Sequence, residues 1–237
     1  MVKFILIITL IFITLSSFSQ EDTVSKNHGF IGIGVGASLP ISNFASNISS
    51  NNDAGYALTG YNYNFNFNYV LYNNIGIALT AFRSYNAFDD KMVFNEINEI
   101  KPNYKFELSS TDWINTAGLG GLLINFPSGK SDFYIKGLLG YSLNNSPSFD
   151  LLISDEKKEI TLNQKSDKSN CYVIMLCTGM RFKIYENASF FINMDYFSAR
   201  PKFNLEITSN SQETKIIETK QKINIINLNF GVGINIK

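Results

Sequence analysis

The sequence is short of reactive and titrating side chains. Its 237 residues include a single histidine, His28, and two cysteines. One histidine and no Cys-x-x-Cys spacing leave no ordinary zinc ligand set. Cys171 and Cys177 fall on the same face of one expected strand, roughly 20 Å apart, which is beyond disulfide reach. They read as small apolar fillers. Charge of one sign is also missing: Lys+Arg 20 balance Asp+Glu 20, for a formal net charge of zero. Without a basic excess there is no electrostatic case for nucleic acid. After Leu15 no stretch reaches the ~18–20 consecutive apolar residues of a membrane-crossing helix. No motif calls for a cofactor or a metal.

What is present begins with an export signal. Lys3 supplies a positive start, Phe4 to Leu15 (FILIITLIFITL) is wholly apolar or hydroxylated, and Ser17 and Ser19 stand at −3 and −1 of a cut before Gln20. This pattern predicts a cleaved signal peptide over residues 1–19. No cysteine follows it, which disfavours a lipid-anchored product. Residues 20–237 then form one domain, an ordinary size for a single β fold.

Helical periodicity is nearly absent from that domain. Period-2 alternation recurs instead, and punctuation separates eight strands. They run over Phe30–Leu39, Leu58–Leu71, Ile75–Phe88, Phe106–Phe126, Phe133–Leu152, Cys171–Ile184, Ser189–Ile207 and Ile223–Ile236. Short turns at Tyr72–Asn74, Pro127–Asp132 and Tyr185–Ala188 alternate with long connections at Pro40–Ala57, Asp89–Lys105, Ser154–Asn170 and Thr208–Lys222. An up-and-down barrel of the outer membrane has this rhythm, with short periplasmic turns and long external loops. Charges gather in three of the long connections and nearly vanish from the strands.

The stretch Gly60 to Leu71, GYNYNFNFNYVL, sets Tyr61, Tyr63, Phe65, Phe67 and Tyr69 against Asn62, Asn64, Asn66 and Asn68. In a water-soluble protein the aromatics face a core and the asparagines face water. In a membrane barrel the aromatics face lipid and the asparagines a polar lumen. The first and last strands favour the second reading. Ile31, Ile33 and Val35 oppose Gly32, Gly34 and Gly36, and Leu228, Phe230 and Val232 oppose Asn229, Gly231 and Gly233. Asn and Gly are poor strand formers with no evident benefit on a solvated face, whereas a narrow lumen needs small residues. Aromatics near the short turns (Tyr69, Phe126, Phe182) and one membrane thickness away (Tyr61, Trp113, Tyr172) suit the two interfacial girdles. The expected fold is an all-β, eight-stranded antiparallel up-and-down transmembrane β-barrel.

Parity then assigns an inward polar set. It comprises Asn62, Asn64, Asn66, Asn68, Lys136, Arg181, Lys183, Asn193, Asp195, Asn227 and Asn229. The tight turn between strands six and seven is expected to bring Arg181 opposite Asn193 or diagonal to Asp195. A charge at lipid depth costs a few kcal/mol, so these groups turn inward and plug the lumen. Apolar residues change parity after Pro201, which predicts a β-bulge there. Strands three, four, five and seven are expected to extend as ribbons beyond the bilayer, and their edges could dock a protein partner.

The segments GFIGIGVGASLPISNFAS (Gly29–Ser46), AGYALTGYNYNF (Ala54–Phe65) and INLNFGVGINIK (Ile226–Lys237) resemble the small outer-membrane barrels of Bacteroidota-type bacteria, grouped as PorT-like or OmpX/OmpA-like. The resemblance implies an outer-membrane location, contact with outer-membrane lipid, and insertion by the barrel-assembly machinery. The last segment departs from the usual assembly signal, having Ile234 and Ile236 where aromatics are common, followed by Lys237. The leading expectation is a non-enzymatic barrel, structural or partner-binding through its external loops. Two alternatives stand beside it. One is a lipid-modifying envelope enzyme, for which the sequence offers no Ser-His-Asp set on the barrel wall. The other is a soluble periplasmic barrel holding an apolar ligand, which requires the aromatic face inside.

Overall fold

The computed structural model describes residues 29–48, 51, 53–100, 105–155, 158–210 and 214–236. The expected signal peptide and His28 lie outside the described residues. Thirteen strands and one helix are described, in the order β1 (Gly29–Pro40), β2 (Gly60–Tyr72), β3 (Ile75–Asn86), α1 (Asp90–Ile100), β4 (Lys105–Ser110), β5 (Trp113–Ser128), β6 (Ser131–Asn145), β7 (Phe149–Asp155), β8 (Lys158–Gln164), β9 (Lys168–Lys183), β10 (Ala188–Ala199), β11 (Lys202–Ser209), β12 (Thr214–Lys220) and β13 (Ile223–Ile236).

Eight of the strands close on themselves in the order β1-β13-β10-β9-β6-β5-β3-β2. Each ladder is antiparallel, and β1 pairs with both β2 and β13. Closure leaves no free edge in this layer. The tight turns at one end follow from local backbone chemistry: Asn73 and Gly129 take the left-handed conformations (φ 49° and 57°) that such turns require.

Alternation sorts the side chains. Odd residues of β1 and even residues of β13 stand outside, with Ile33, Val35, Leu228, Phe230 and Val232 all more than half exposed or nearly so. Leu139, Leu176 and Tyr172 continue this apolar surface around the wall. A contiguous apolar belt of this extent is not what a water-facing surface carries. The inner face is largely small or polar along the lumen, apart from Phe30 and Phe191 towards the short-turn end, and becomes apolar at the other. There Phe44, Trp113, Phe197, Phe203, Ile223 and Ile225 are buried together. Phe44 reaches in from a short 3-10 turn at Ser42–Ala45, and its ring meets Trp113 edge-on at 5.4 Å. Trp113 in turn meets Phe203 at 5.8 Å and donates through Nε1 to the Gly55 carbonyl at 2.9 Å. Trp113→Phe keeps the ring contacts but orphans a buried carbonyl. It should cost about 1–3 kcal/mol, read as a lower urea midpoint for the purified protein.

Above the barrel stands a second sheet, β12-β11-β8-β7-β4. Three of the long expected strands are therefore broken. They split between β4 and β5, between β6 and β7, and at Arg200–Pro201 between β10 and β11. Segments expected as loops supply β8 and β12. The ribbon expected from the third strand does not form. After Asn86 the chain turns into α1, whose first turn is capped by Asp89, its Oδ1 accepting from the Met92 amide at 3.1 Å. Phe94 of α1 packs edge-on against Phe106 of β4.

The bulge expected at Pro201 is also corrected. Phe197, Ala199, Pro201 and Phe203 are all buried, so inward parity is unbroken through the proline. What changes is the environment: the inner face passes from a polar lumen to an apolar mouth. The sequence therefore shows apolar residues switching from outward to inward positions, with no residue inserted.

Candidate functional site

The inner wall of the barrel concentrates the polar chemistry. Asn62, Asn64, Asn66 and Asn68 line up along β2, each buried. Asn193 and Asp195 from β10, and Asn227 and Asn229 from β13, face them, also buried. Lys136 enters from β6 and is 1% exposed. Its Nζ donates to Asn66 Oδ1 at 2.9 Å and lies 5.5 Å from the centre of the Tyr134 ring. Asn66 also accepts from Thr80 at 3.0 Å and donates to Asn64 at 2.6 Å. Asn62 donates to the Ala37 carbonyl at 3.1 Å. On the facing wall Asn229 donates to Asp195 Oδ2 at 2.7 Å, and the Tyr134 hydroxyl donates to Asn193 Oδ1.

Nearer the short turns a second group forms around Asp132. Arg181 donates to Asp132 Oδ2 through both Nε, at 2.9 Å, and Nη2. Lys183 Nζ stands 3.6 Å from the other carboxylate oxygen. The Arg181 guanidinium also covers the Phe30 ring at 5.1 Å. The expected pairing of Arg181 is thus corrected. Ser189 pairs with Lys183, which sets Arg181 opposite Phe191, and on its other side β9 sets Arg181 opposite Asp132 of β6. Asp132 and Tyr134 were within reach of sequence reasoning, since the parity that turns Lys136 inward turns them inward too. Asp132 is hidden by its place beside the turn, where a charged residue reads as loop.

Several amide oxygens in the upper group, those of Asn62, Asn68, Asn227 and Asn229, have no hydrogen-bond partner among the described residues, and neither does Asp195 Oδ1. Buried acceptors of this kind are ordinarily met by water. Three cations, Lys136, Arg181 and Lys183, two carboxylates, Asp132 and Asp195, and an array of amides share this space, and buried rings and glycines fill the rest. No group of three His, Cys, Asp or Glu side chains able to hold a metal occurs among the described residues. At the mouth, between barrel and outer sheet, lies a small cavity of about 150 Å³ bordered by Trp113, Phe149, Phe203, Gln164 and Gln221.

No protein-family model matches the sequence, and no curated protein does. Among solved structures the chain is similar to Neisserial surface protein A, at 12% identity over 87% of this chain and 96% of that one, with a TM-score of 0.47. It is also similar to the outer membrane protein OprG from Pseudomonas aeruginosa (15%, 88% and 95%, TM-score 0.44). Ail, the attachment invasion locus protein of Yersinia pestis, is another (13%, 88% and 99%, TM-score 0.42). The fold itself is defined by the closed eight-stranded ladder of this chain.

Proposed function

We propose that the chain is a non-enzymatic outer-membrane protein that carries a partner-binding sheet on a plugged barrel. One observation carries the membrane reading: the aromatic face of β2 is outside. Tyr61, Tyr63 and Phe65 are 57%, 45% and 43% exposed, while the asparagines between them are buried. A soluble barrel with an apolar ligand inside needs the opposite arrangement, and that alternative is set aside. The lipid-modifying alternative would have to draw on His28, the one histidine of the sequence, which lies outside the described residues. Cleavage of a signal peptide at residues 1–19 and insertion by the assembly machinery through β13 complete this reading. The likeness of Gly29–Ser46 and Ile226–Lys237 to PorT-like and OmpX/OmpA-like barrels fits it.

The partner surface in this reading is the outer sheet. Its two edge strands are β12 and β4, and only β4 has α1 packed against it. β12 is exposed along nearly all its length, with Ile216 on one face and Ile217 on the other. Such an edge can accept an added strand, main-chain hydrogen bonds giving affinity and the isoleucines anchoring. The test is electrophoresis of protein from outer membranes, with and without boiling, alongside trypsin treatment of whole cells. A closed barrel migrates faster unboiled, and trypsin should cut at Lys215 at the outer end. A barrel found in the soluble fraction, or cleavage confined to Lys130 in the short turn, would contradict the location or the orientation.

A further inference from the structure

The outer wall has an open hollow of about 900 Å³ where β6, β9 and β10 approach the outer sheet. Its sides are apolar: Leu139 and Tyr141 from β6, and Tyr172 and Ile174 from β9. The two tyrosine rings meet edge-on at 5.6 Å and form one flank. Gly118 of β5 leaves the adjoining floor low, since a Cβ there would meet nothing within 4 Å. Arg200 and Lys222 border the hollow on the other side. They stand one step beyond the Ala199–Ile223 pair, where β10 and β13 meet the outer sheet.

These two cations differ from the charges of the lumen. Arg181 and Lys183 are paired with Asp132, whereas neither Arg200 nor Lys222 makes an ion pair among the described residues. No acidic residue lines the hollow. Two unmatched cations beside an apolar, lipid-facing recess are costly unless an anion accompanies the apolar occupant.

We propose that this hollow binds an anionic, phosphate-bearing lipid of the outer leaflet. Its acyl chain lies along Leu139, Ile174 and Tyr172, and its phosphate is held between Arg200 and Lys222. The proposal rests on the membrane reading above. The charge complementarity and the apolar walls together select a lipid over a free anion.

The test is native mass spectrometry of the full chain in detergent, titrated with phosphatidylglycerol and with phosphatidylcholine of the same acyl chains. Phosphatidylglycerol should bind about 30-fold more tightly, the factor that two basic groups near an anionic surface supply. The double variant Arg200→Gln/Lys222→Gln should bind both lipids alike, with its heat-dependent gel shift unchanged. Gly118→Trp, which fills open space, should weaken both lipids. Equal binding of the two lipids by the natural sequence, a preference that survives the double variant, or displacement by inorganic phosphate would each overturn the proposal. Absence of the gel shift in the natural sequence would overturn the membrane reading with it.

Discussion

Replacing Asp132 with alanine should destabilise the barrel by about 3–5 kcal/mol, the cost of leaving a buried charge without its partner. The carboxylate side chain is fully buried and Arg181 nearly so, at 0% and 7% exposure. Arg181 spends two of its donors on one carboxylate oxygen, and Lys183 approaches the other. Without Asp132, two cations face each other inside a closed wall. Arg181→Met should cost less, because Lys183 still compensates the carboxylate and is itself partly exposed at 18%. The pair Asp132→Leu/Arg181→Met should recover much of the loss, since the desolvation of both charges disappears together. Urea unfolding of the protein refolded in lipid, followed by the fluorescence of Trp113, reads all three. An Asp132→Ala variant within 1 kcal/mol of the natural sequence would mean that water reaches this layer and screens the charges.

The barrel was largely legible in the sequence because each of its strands must satisfy two solvents at once. In the proposed membrane setting, lipid outside and a crowded lumen inside impose a period of two that soluble strands rarely keep so strictly. GYNYNFNFNYVL shows it without interruption from Tyr61 to Tyr69, and the burial of β2 follows it over the same residues. The tight turns were legible for a similar reason: Asn73 and Gly129 are residues that accept a left-handed backbone. The breaks between barrel and outer sheet were not legible, because alternation continues on both sides of them. In β10 and β11 the inward parity even stays the same, and only the polarity of the inward residues changes at Phe197. A reader of sequence sees that as a shift of register.

The second sheet was partly hidden for a different reason. β8 and β12 break strict alternation, as KEITLNQ with Lys158 and Glu159 adjacent and TKIIETK with Ile216 and Ile217 adjacent, and both sides of that sheet meet water in part. Their pattern is weaker than that of a strand between lipid and lumen. The helix α1 was missed because it is short: with Met92, Val93, Phe94, Ile97 and Ile100 as its apolar residues, its period-3.6 signal barely completes three turns. In the lumen, parity places residues on the inner face but does not say who meets whom. That needs the register, which the turn geometry fixes only once the pairing of Ser189 with Lys183 is known.

Phe191→Ala should cost about 3–5 kcal/mol, and it should also make Gly32 replaceable. Phe191 and Phe30 are buried, their rings edge-to-face at 5.7 Å, and they close the lumen towards the short-turn end. The glycine of β1 is what admits them. A Cβ on Gly32 would lie 2.6 Å from the Phe30 ring and 2.9 Å from that of Phe191, closer than any real contact allows. Gly32→Val alone should therefore cost about 1–3 kcal/mol by overpacking. Every neighbour it strikes is a ring atom rather than backbone, so the clash is conditional on those rings. In a Phe191→Ala background the Phe30 ring can turn into the space released, and the valine fills part of what remains. The two changes should then be less costly together than their sum, by about 1 kcal/mol or more. Strict additivity would point instead to a role for Gly32 in the backbone pairing of β1, and the alternation of glycine with isoleucine would need an explanation other than room for the plug.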